Sequence, residues 1–183
     1  MKKTKVCVII NPKSGNESKR EIPESVAGKF NQKEYDIHIR ITGYAGHATE
    51  IARDAVNEGY KFVITAGGDG TVNEVAKELI NTDTVLGIIP FGSGNGLARD
   101  LNIPLDLVKA IKVIQQGNIR TIDYGSANDH IFFCTCGVGF DAFISDKFAD
   151  EKKRGPLGYV HNIVEGVIEF KSEDYEITHD DGV

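Results

Sequence analysis

Residues 62–76, FVITAGGDGTVNEVA, decide the fold of this chain. The apolar run from Phe62 to Thr65 predicts a buried strand, and the apolar stripe that contains Val72 and Val75 predicts an amphipathic helix. Three glycines lie between these two elements. A strand, a glycine-rich turn and a helix in this order are typical of the repeating unit of a parallel sheet.

The same alternation extends on both sides of this segment. Apolar runs predict four further strands, and the stripes between them predict three further helices. The strands are Lys5 to Ile10, Tyr35 to Ile41, Val85 to Pro90 and Arg120 to Tyr124; the helices are Glu21 to Gln32, Ile51 to Gly59 and Pro104 to Gly117. Tyr35 to Ile41 alternates apolar with polar residues, which predicts a position at or near an edge. We therefore expect an α/β fold with a doubly wound, mostly parallel sheet.

The pattern changes after residue 124. A strand from Ile131 to Cys136, a turn at residues 137–142, a helix from Leu157 to Phe170 and a strand from Tyr175 to Thr178 are predicted there. So few elements cannot form an independent layer of sheet. We expect residues 1–124 to form an α/β nucleotide-binding domain and residues 125–183 to be the incomplete start of a second, β-rich domain.

Composition excludes several classes of protein. The formal net charge of −6 argues against a general nucleic-acid-binding surface. Three cysteines cannot all pair within the chain, which favours a reducing compartment. No apolar run approaches the ~20 residues of a membrane span. These features predict a cytoplasmic protein without a transmembrane segment.

The loop at residues 66–74 predicts a phosphate site. Glycines let the backbone approach a ligand closely, and the first turn of a helix offers unpaired N–H groups to an anion. Asp69 would repel a bare phosphate, so a divalent cation between them resolves the conflict. We therefore expect Mg²⁺ with a nucleotide, and a magnesium-binding and catalytic role for Asp69. For Thr71 and Glu74 taken alone, a capping box is the favoured interpretation.

Two more loops follow predicted strands. Asn11-Pro12-Lys13-Ser14-Gly15 ends the first strand, and Gly92-Ser93-Gly94-Asn95-Gly96 follows Val85 to Pro90. The carboxyl ends of parallel strands are where open α/β sheets bind ligands, and Thr42, after the second strand, is placed to reach the same crevice. Neither the Gly-x-x-x-x-Gly-Lys-Ser/Thr motif nor a complete dinucleotide fingerprint occurs.

These three loops, in this order, resemble those of the diacylglycerol kinase catalytic domain family, which comprises bacterial lipid kinases related to sphingosine and ceramide kinases and, more distantly, to NAD kinases. The resemblance implies a nucleotide-binding domain followed by a β-sandwich domain that completes the active site over a lipid hydroxyl. It also implies that the nucleotide contacts come from the loops, namely Asn11, Pro12, Ser14, Gly15, Thr42, Gly67, Gly68, Asp69, Gly70, Thr71, Asn73, Glu74, Gly92, Ser93, Gly94 and Asn95.

The resemblance implies an ATP-dependent, Mg²⁺-dependent kinase for a lipid such as diacylglycerol. The partner would be the lipid at the inner face of the membrane, and a homodimer is a further expectation. The family's general base lies in the second domain, beyond Val183, so we expect the chain alone to be inactive. Gly96 stands where the family often has an acid, which puts an ion-pair network of Arg99 with Asp123 in doubt.

Two alternatives stay open. NAD kinases share the Gly-Gly-Asp-Gly core, although the first and third loops favour the lipid branch. A non-catalytic nucleotide-binding regulatory module is the alternative from a different class, since this chain contains no assigned base.

Overall fold

The computed structural model describes residues 3–15, 22–150 and 169–178 of the chain. The chain divides into two compact units, Met1–Thr135 and Cys136–Val183. The described elements follow the predicted alternation. They are β1 (Thr4–Ile10), α1 (Ile22–Lys29), β2 (Tyr35–Ile41), α2 (His47–Asn57), β3 (Phe62–Gly67), α3 (Asp69–Ala76), β4 (Val85–Pro90), α4 (Gly96–Asp100), α5 (Leu107–Gln116), β5 (Gly125–Ala127), β6 (His130–Phe132) and α6 (Phe140–Asp150).

The main sheet of the first unit has four parallel strands in the order β2-β1-β3-β4. This confirms the predicted α/β fold with a mostly parallel sheet. It also confirms β2 as an edge strand, whose residues are intermediate or exposed where those of β1 are mostly buried. An edge strand has one neighbour and less cover, so alternating polar residues are tolerated there.

Helices cover both faces of this sheet, because side chains alternate along each strand. Val8, Ile64 and Ile89 pack with Val26 of α1 and Ile111 of α5 in one core. Ile9 and Val63 point to the opposite face, where they pack with Ala52 of α2 and Val75 of α3. The chain passes from β1 to β2 on one side of β1 and then crosses to β3 on its other side. The loops that follow β1 and β3 therefore lie at a topological switch point.

The predicted helices are present, with changed bounds: α1 ends at Lys29, α2 begins at His47, and α5 begins at Leu107. α1 places Pro23 in its first turn and buries Ile22, Val26 and Phe30, as expected. α5 ends at Gly117 as predicted, but it begins at Leu107 because the Asp106 side chain accepts the N–H of Lys109. Pro104 therefore lies before the helix, and an Asp cap sets its start.

The predicted strand from Arg120 to Tyr124 is wrong. This segment has no regular structure, and its apolar residues Ile122 and Tyr124 are 37% and 48% exposed. No helix layer buries the side chains of this segment. The apolar periodicity by itself therefore does not produce a fifth strand. β5 and β6 instead form a short antiparallel hairpin, and the strand predicted from Ile131 to Cys136 is reduced to His130–Phe132.

The second unit differs from its prediction in two places. α6 begins at Phe140, inside the segment interpreted as a turn at residues 137–142. Residues 171–178 contain no strand, so the one predicted from Tyr175 to Thr178 is wrong. A strand needs a hydrogen-bonded neighbour, and no described segment pairs with it. The helix predicted from Leu157 to Phe170 lies almost entirely outside the described residues. The proposed β-rich second domain stays a prediction.

Candidate nucleotide-binding site

Three loops meet where β1, β3 and β4 end. Asn11, directly after β1, donates from Nδ2 to Oγ1 of Thr71 in α3 at 2.9 Å. Its backbone N–H donates to the carbonyl of Ala66 in β3 at 3.0 Å. Asn11 therefore joins the first loop to the second through both its side chain and its backbone.

The loops also touch through positions that have room only for glycine. Gly15 adopts φ +60°, and a Cβ there would lie 2.1 Å from the carbonyl oxygen of Phe91. A Cβ on Gly92 would lie 2.6 Å from Cα of Gly68. Distances below 3 Å cannot be relieved when the neighbour is backbone. The glycines in all three loops thus permit backbone-to-backbone packing between loops that are distant in sequence.

Asp69 connects the second loop to the third. Its Oδ2 accepts the backbone N–H of Asn95 at 2.8 Å, and its Oδ1 accepts the N–H of Gly96 at 2.6 Å. Both N–H groups belong to the start of α4, where a carboxylate is favoured by the helix dipole. The Asp69 carboxylate therefore caps α4 from another element, a function that the sequence pattern did not reveal.

Asn95 closes the third loop on itself. Its Oδ1 accepts the N–H of Gly92, and its Nδ2 donates to the Gly92 carbonyl, both at 2.7 Å. Asn95 is 7% exposed and adopts φ 55°, a left-handed conformation that Asn tolerates better than most residues. Arg99 donates from Nε to the carbonyl of Gly94 at 2.8 Å. Within the described residues, no ion pair of Arg99 with Asp123 is formed.

Glu74 does not form the capping box that was favoured for it. α3 begins at Asp69, with Gly68 as its N-cap, so Thr71 lies inside the helix. The Glu74 carboxylate instead accepts the backbone N–H groups of Gly46 at 3.1 Å and Ala48 at 3.2 Å. These groups belong to the first turn of α2. Glu74 thus caps a neighbouring helix and holds the segment after β2 against α3.

The first turn of α3 has no side-chain cap of its own. Gly70, in that turn, is exposed, and a Cβ added to it would meet nothing within 4 Å. On the inner side, a Cβ on Gly67 would lie 2.6 Å from Cβ of Thr71. The turn is therefore tightly packed toward the sheet and open on the side of Gly70, as an anion site at a helix start requires.

The remaining predicted residues surround this turn in different environments. Ser14 is 6% exposed and donates from Oγ to the carbonyl of Asn11 at 3.0 Å. Thr42 is 8% exposed, and its N–H donates to the carbonyl of Ile10 at 2.9 Å. Pro12 and Ser93 are exposed, and Asn73 is half-buried. The loops lie at the carboxyl-terminal end of the sheet. Several of their residues form hydrogen bonds with other loop residues.

Sequence reasoning missed three contributors. Gly46 and Ala48 offer their backbone N–H groups to Glu74, and Phe91 provides the carbonyl that Gly15 approaches. These contacts are made by backbone atoms, which every residue has, so the residue types do not reveal them. The only clue was an acid, Glu74, four residues beyond the last loop glycine, and a capping box explained it equally well.

The described residues, 3–15, 22–150 and 169–178, contain neither a cluster of metal ligands nor a membrane-spanning helix. No group of three or more His, Cys, Asp or Glu side chains could hold a metal ion in this part of the chain. Across the described ranges, no helix is both long and apolar enough to cross a membrane.

Comparison with known proteins gives a consistent result. The model of the diacylglycerol kinase catalytic domain matches residues 5–127. Diacylglycerol kinase of Staphylococcus aureus (strain MRSA252) is 34% identical over 181 residues, which is 96% of this chain and 57% of that protein. Diacylglycerol kinase of Bacillus subtilis (strain 168) is 34% identical over 178 residues, 94% of this chain and 59% of that protein. The chain thus spans less than two thirds of these relatives.

A solved structure supports the same grouping. The crystal structure of a diacylglycerol kinase from Bacillus anthracis str. Sterne superposes with a TM-score of 0.62 at 30% identity, covering 72% of this chain and 49% of that one. The matched region of the family model contains all three loops. The chain therefore belongs to the diacylglycerol kinase catalytic domain family.

Proposed function

We propose that this protein transfers the γ-phosphoryl group of MgATP to the hydroxyl of a lipid such as diacylglycerol. In that reaction the bond between the γ-phosphorus and the oxygen of ADP breaks, a bond to the lipid oxygen forms, and the hydroxyl loses its proton. The observation that carries the proposal is the meeting of three glycine loops around the uncapped first turn of α3. Family membership and the names of the relatives support it.

Three helices begin at the carboxyl-terminal end of this sheet, and they differ in what the N–H groups of their first turns bind. Glu74 occupies the start of α2, and Asp69 occupies the start of α4. Only α3, among these three helices, has its first turn without a carboxylate on its N–H groups. A phosphate is the ligand that this turn favours, because unpaired N–H groups and the helix dipole both attract an anion. We assign the phosphates of the nucleotide to it.

Asp69 is compatible with Mg²⁺ that arrives with the nucleotide. Each of its carboxylate oxygens accepts one N–H and keeps a further lone pair. Mg²⁺ in kinases is held by one or two carboxylates together with phosphate oxygens and water, so a preformed cage of acids is unnecessary. When bound, the ion would neutralise charge on the phosphates. We propose that Asp69 contacts it directly or through water.

A thermal-shift titration of this chain tests nucleotide binding. A ligand that binds only the folded state raises the melting temperature. We expect a magnesium-dependent rise with ATP or ADP and a smaller effect of NAD and NADP. Stabilisation by NAD or NADP alone would favour an NAD kinase. Absence of any shift would contradict the assignment of the phosphates to α3.

A matched pair of variants makes this test specific. Gly70→Ala adds a methyl group to the open side of α3, and Gly28→Ala adds one to α1, where it also meets nothing within 4 Å. Both should fold. Only the change at Gly70 should reduce the shift with MgATP, because its methyl group would occupy the proposed phosphate position.

Transfer to lipid is tested with the full-length protein. We propose that this chain alone has no kinase activity, because the base is expected in the part that the relatives possess beyond the matched region. Incorporation of γ-³²P from ATP into diacylglycerol, with NAD as the competing acceptor, distinguishes the lipid kinase from an NAD kinase. ATP binding without transfer to any lipid would support a regulatory module.

A further inference from the structure

Two aromatic rings lie parallel after the edge strand β2. The rings of Tyr44 and His47 are separated by 4.4 Å between centroids, with an angle of 3° between their planes. Neither residue is among the candidates named from the sequence, and His47 is the first residue of α2. No contact already described explains why the two rings are stacked here.

Hydrogen bonds fix both rings. The Tyr44 hydroxyl donates to Oε2 of Glu50 at 2.6 Å, and Nδ1 of His47 accepts the backbone N–H of Gly43 at 3.0 Å. The Glu50 carboxylate also raises the pKa of the Tyr44 phenol, because it stabilises the protonated form. Tyr44 is nevertheless 56% exposed. Since His47 covers one face of the Tyr44 ring, the exposed surface includes the other face.

The pair lies at the same edge of the sheet as the phosphate loops. β2 is the neighbour of β1, and β1 is the neighbour of β3. Adjacent strands are about 4.8 Å apart, so the end of β2 lies about 10 Å from the end of β3. This offset is of the size of a nucleotide, whose base is separated from its phosphates by the ribose.

A direct contact holds the pair in position relative to α3. Glu74 of α3 accepts the N–H groups of Gly46 and Ala48, which flank His47. The aromatic pair and the first turn of α3 are therefore attached to the same helix. A ligand with phosphates on that turn and a flat ring at the end of β2 fits this arrangement.

We propose that the open face of Tyr44, supported from behind by His47, stacks on the purine base of the bound nucleotide. This inference rests on the proposed nucleotide site and adds to it the residue that recognises the base. Stacking on an aromatic side chain is tolerant of base identity and contributes to affinity without hydrogen-bond specificity. ATP and GTP should therefore both use Tyr44.

Tryptophan fluorescence gives a direct test, because the chain contains no tryptophan. In Tyr44→Trp the introduced indole is the single tryptophan, and stacking on a purine should quench its emission. We expect quenching by MgATP and none by magnesium tripolyphosphate, which carries phosphates without a base. Equal quenching by both, or by neither while calorimetry shows that ATP binds, would overturn the proposal.

Affinity measurements on this chain complete the test. Calorimetry should show that Tyr44→Ala weakens MgATP binding roughly tenfold, that Tyr44→Phe retains it, and that all three proteins bind tripolyphosphate equally. Unchanged ATP affinity in Tyr44→Ala would overturn the stacking proposal and leave the nucleotide site intact. Failure of the unsubstituted chain to bind either ATP or tripolyphosphate would overturn the phosphate site, and the stacking proposal with it.

Discussion

Asn11 donates from Nδ2 to Oγ1 of Thr71 at 2.9 Å, across 60 positions of sequence. Asn11 ends β1 and Thr71 lies in the first turn of α3, so one hydrogen bond spans the switch point of the sheet. Thr71 is 5% exposed. This part-buried hydrogen bond joins the end of β1 to the start of α3, and neither partner can move away without losing it.

This hydrogen bond should be measurable as a coupling energy. Thr71→Val keeps the shape and removes the acceptor, and Asn11→Ala removes the donor. In a double-mutant cycle measured by urea unfolding, we expect the two changes to be coupled by about 0.5–1.5 kcal/mol. Additive effects within error would show that the bond contributes nothing to stability.

Replacing Glu74 should destabilise the protein more than replacing a nearby acid that forms an ion pair. Glu74→Ala leaves two N–H groups of α2 without their acceptor, and we expect a loss of about 2 kcal/mol in the free energy of unfolding. Glu74→Gln keeps one acceptor oxygen and should lose less. Urea unfolding measures both.

Glu78 provides the control for this change. It lies one turn further along and pairs with Arg53 at 3.0 Å; the Arg53 side chain is 57% exposed and the Glu78 side chain 18% exposed. Because the Arg53 end of the ion pair is open to solvent, we expect the pair to contribute less than about 1 kcal/mol. An equal loss from Glu78→Ala and Glu74→Ala would contradict the capping function of Glu74.

Removing the Asp69 carboxylate should loosen the start of α4. In Asp69→Ala the N–H groups of Asn95 and Gly96 lose their acceptor, so their hydrogens should exchange with solvent faster. Amide hydrogen exchange followed by NMR measures each position. Asp100→Ala, an exposed acid at the end of α4, should leave these two rates unchanged.

The three cysteines should differ in reactivity. Burial raises the pKa of the Cys7 thiol to about 11, with Arg40 lowering it and Glu58 raising it to smaller extents. Cys134 and Cys136 are exposed. At pH 8, iodoacetamide should modify only the two exposed thiols in the folded protein and all three in urea, as mass spectrometry would show.

The same burial makes stability depend on pH. The folded state keeps the Cys7 proton up to about pH 11, whereas the thiol of the unfolded chain releases it near its ordinary pKa of 9.0. The unfolded state therefore binds fewer protons between these values, and Cys7 should lower stability as the pH rises from 9 to 11. Cys7→Ala should remove this contribution to the slope of unfolding free energy against pH.

Most of the sheet could be predicted because the apolar sequences of its strands are distinctive by themselves. β1, β3 and β4 are apolar on both faces, as a sheet between two helix layers requires, and their bounds were predicted closely. Arg120 to Tyr124 shows the limit of that signal. Its apolar residues have strand spacing, but periodicity does not reveal whether a helix is available to bury them.

The loops of the site were predictable in position but not in function. Glycine-rich turns after strands identified, from sequence alone, the loops that the structure brings together where β1, β3 and β4 end. The partners of Asp69 and Glu74 did not, because both carboxylates bind backbone N–H groups on elements more than 20 residues away. Such contacts depend on the packing of helices, which local spacing does not encode.

The contact between Gly68 and Gly92 has a consequence for protein engineering. Because the two backbones touch, the loop after β3 cannot be exchanged for that of a relative with different spacing unless the loop after β4 is exchanged too. Gly15 packs against the carbonyl of Phe91, so the loop after β1 must be exchanged with these two. Glu74 binds the N–H of Gly46, so the segment before α2 must be exchanged as well. A chimera that exchanges these loops between family members must therefore transfer all four segments as a set.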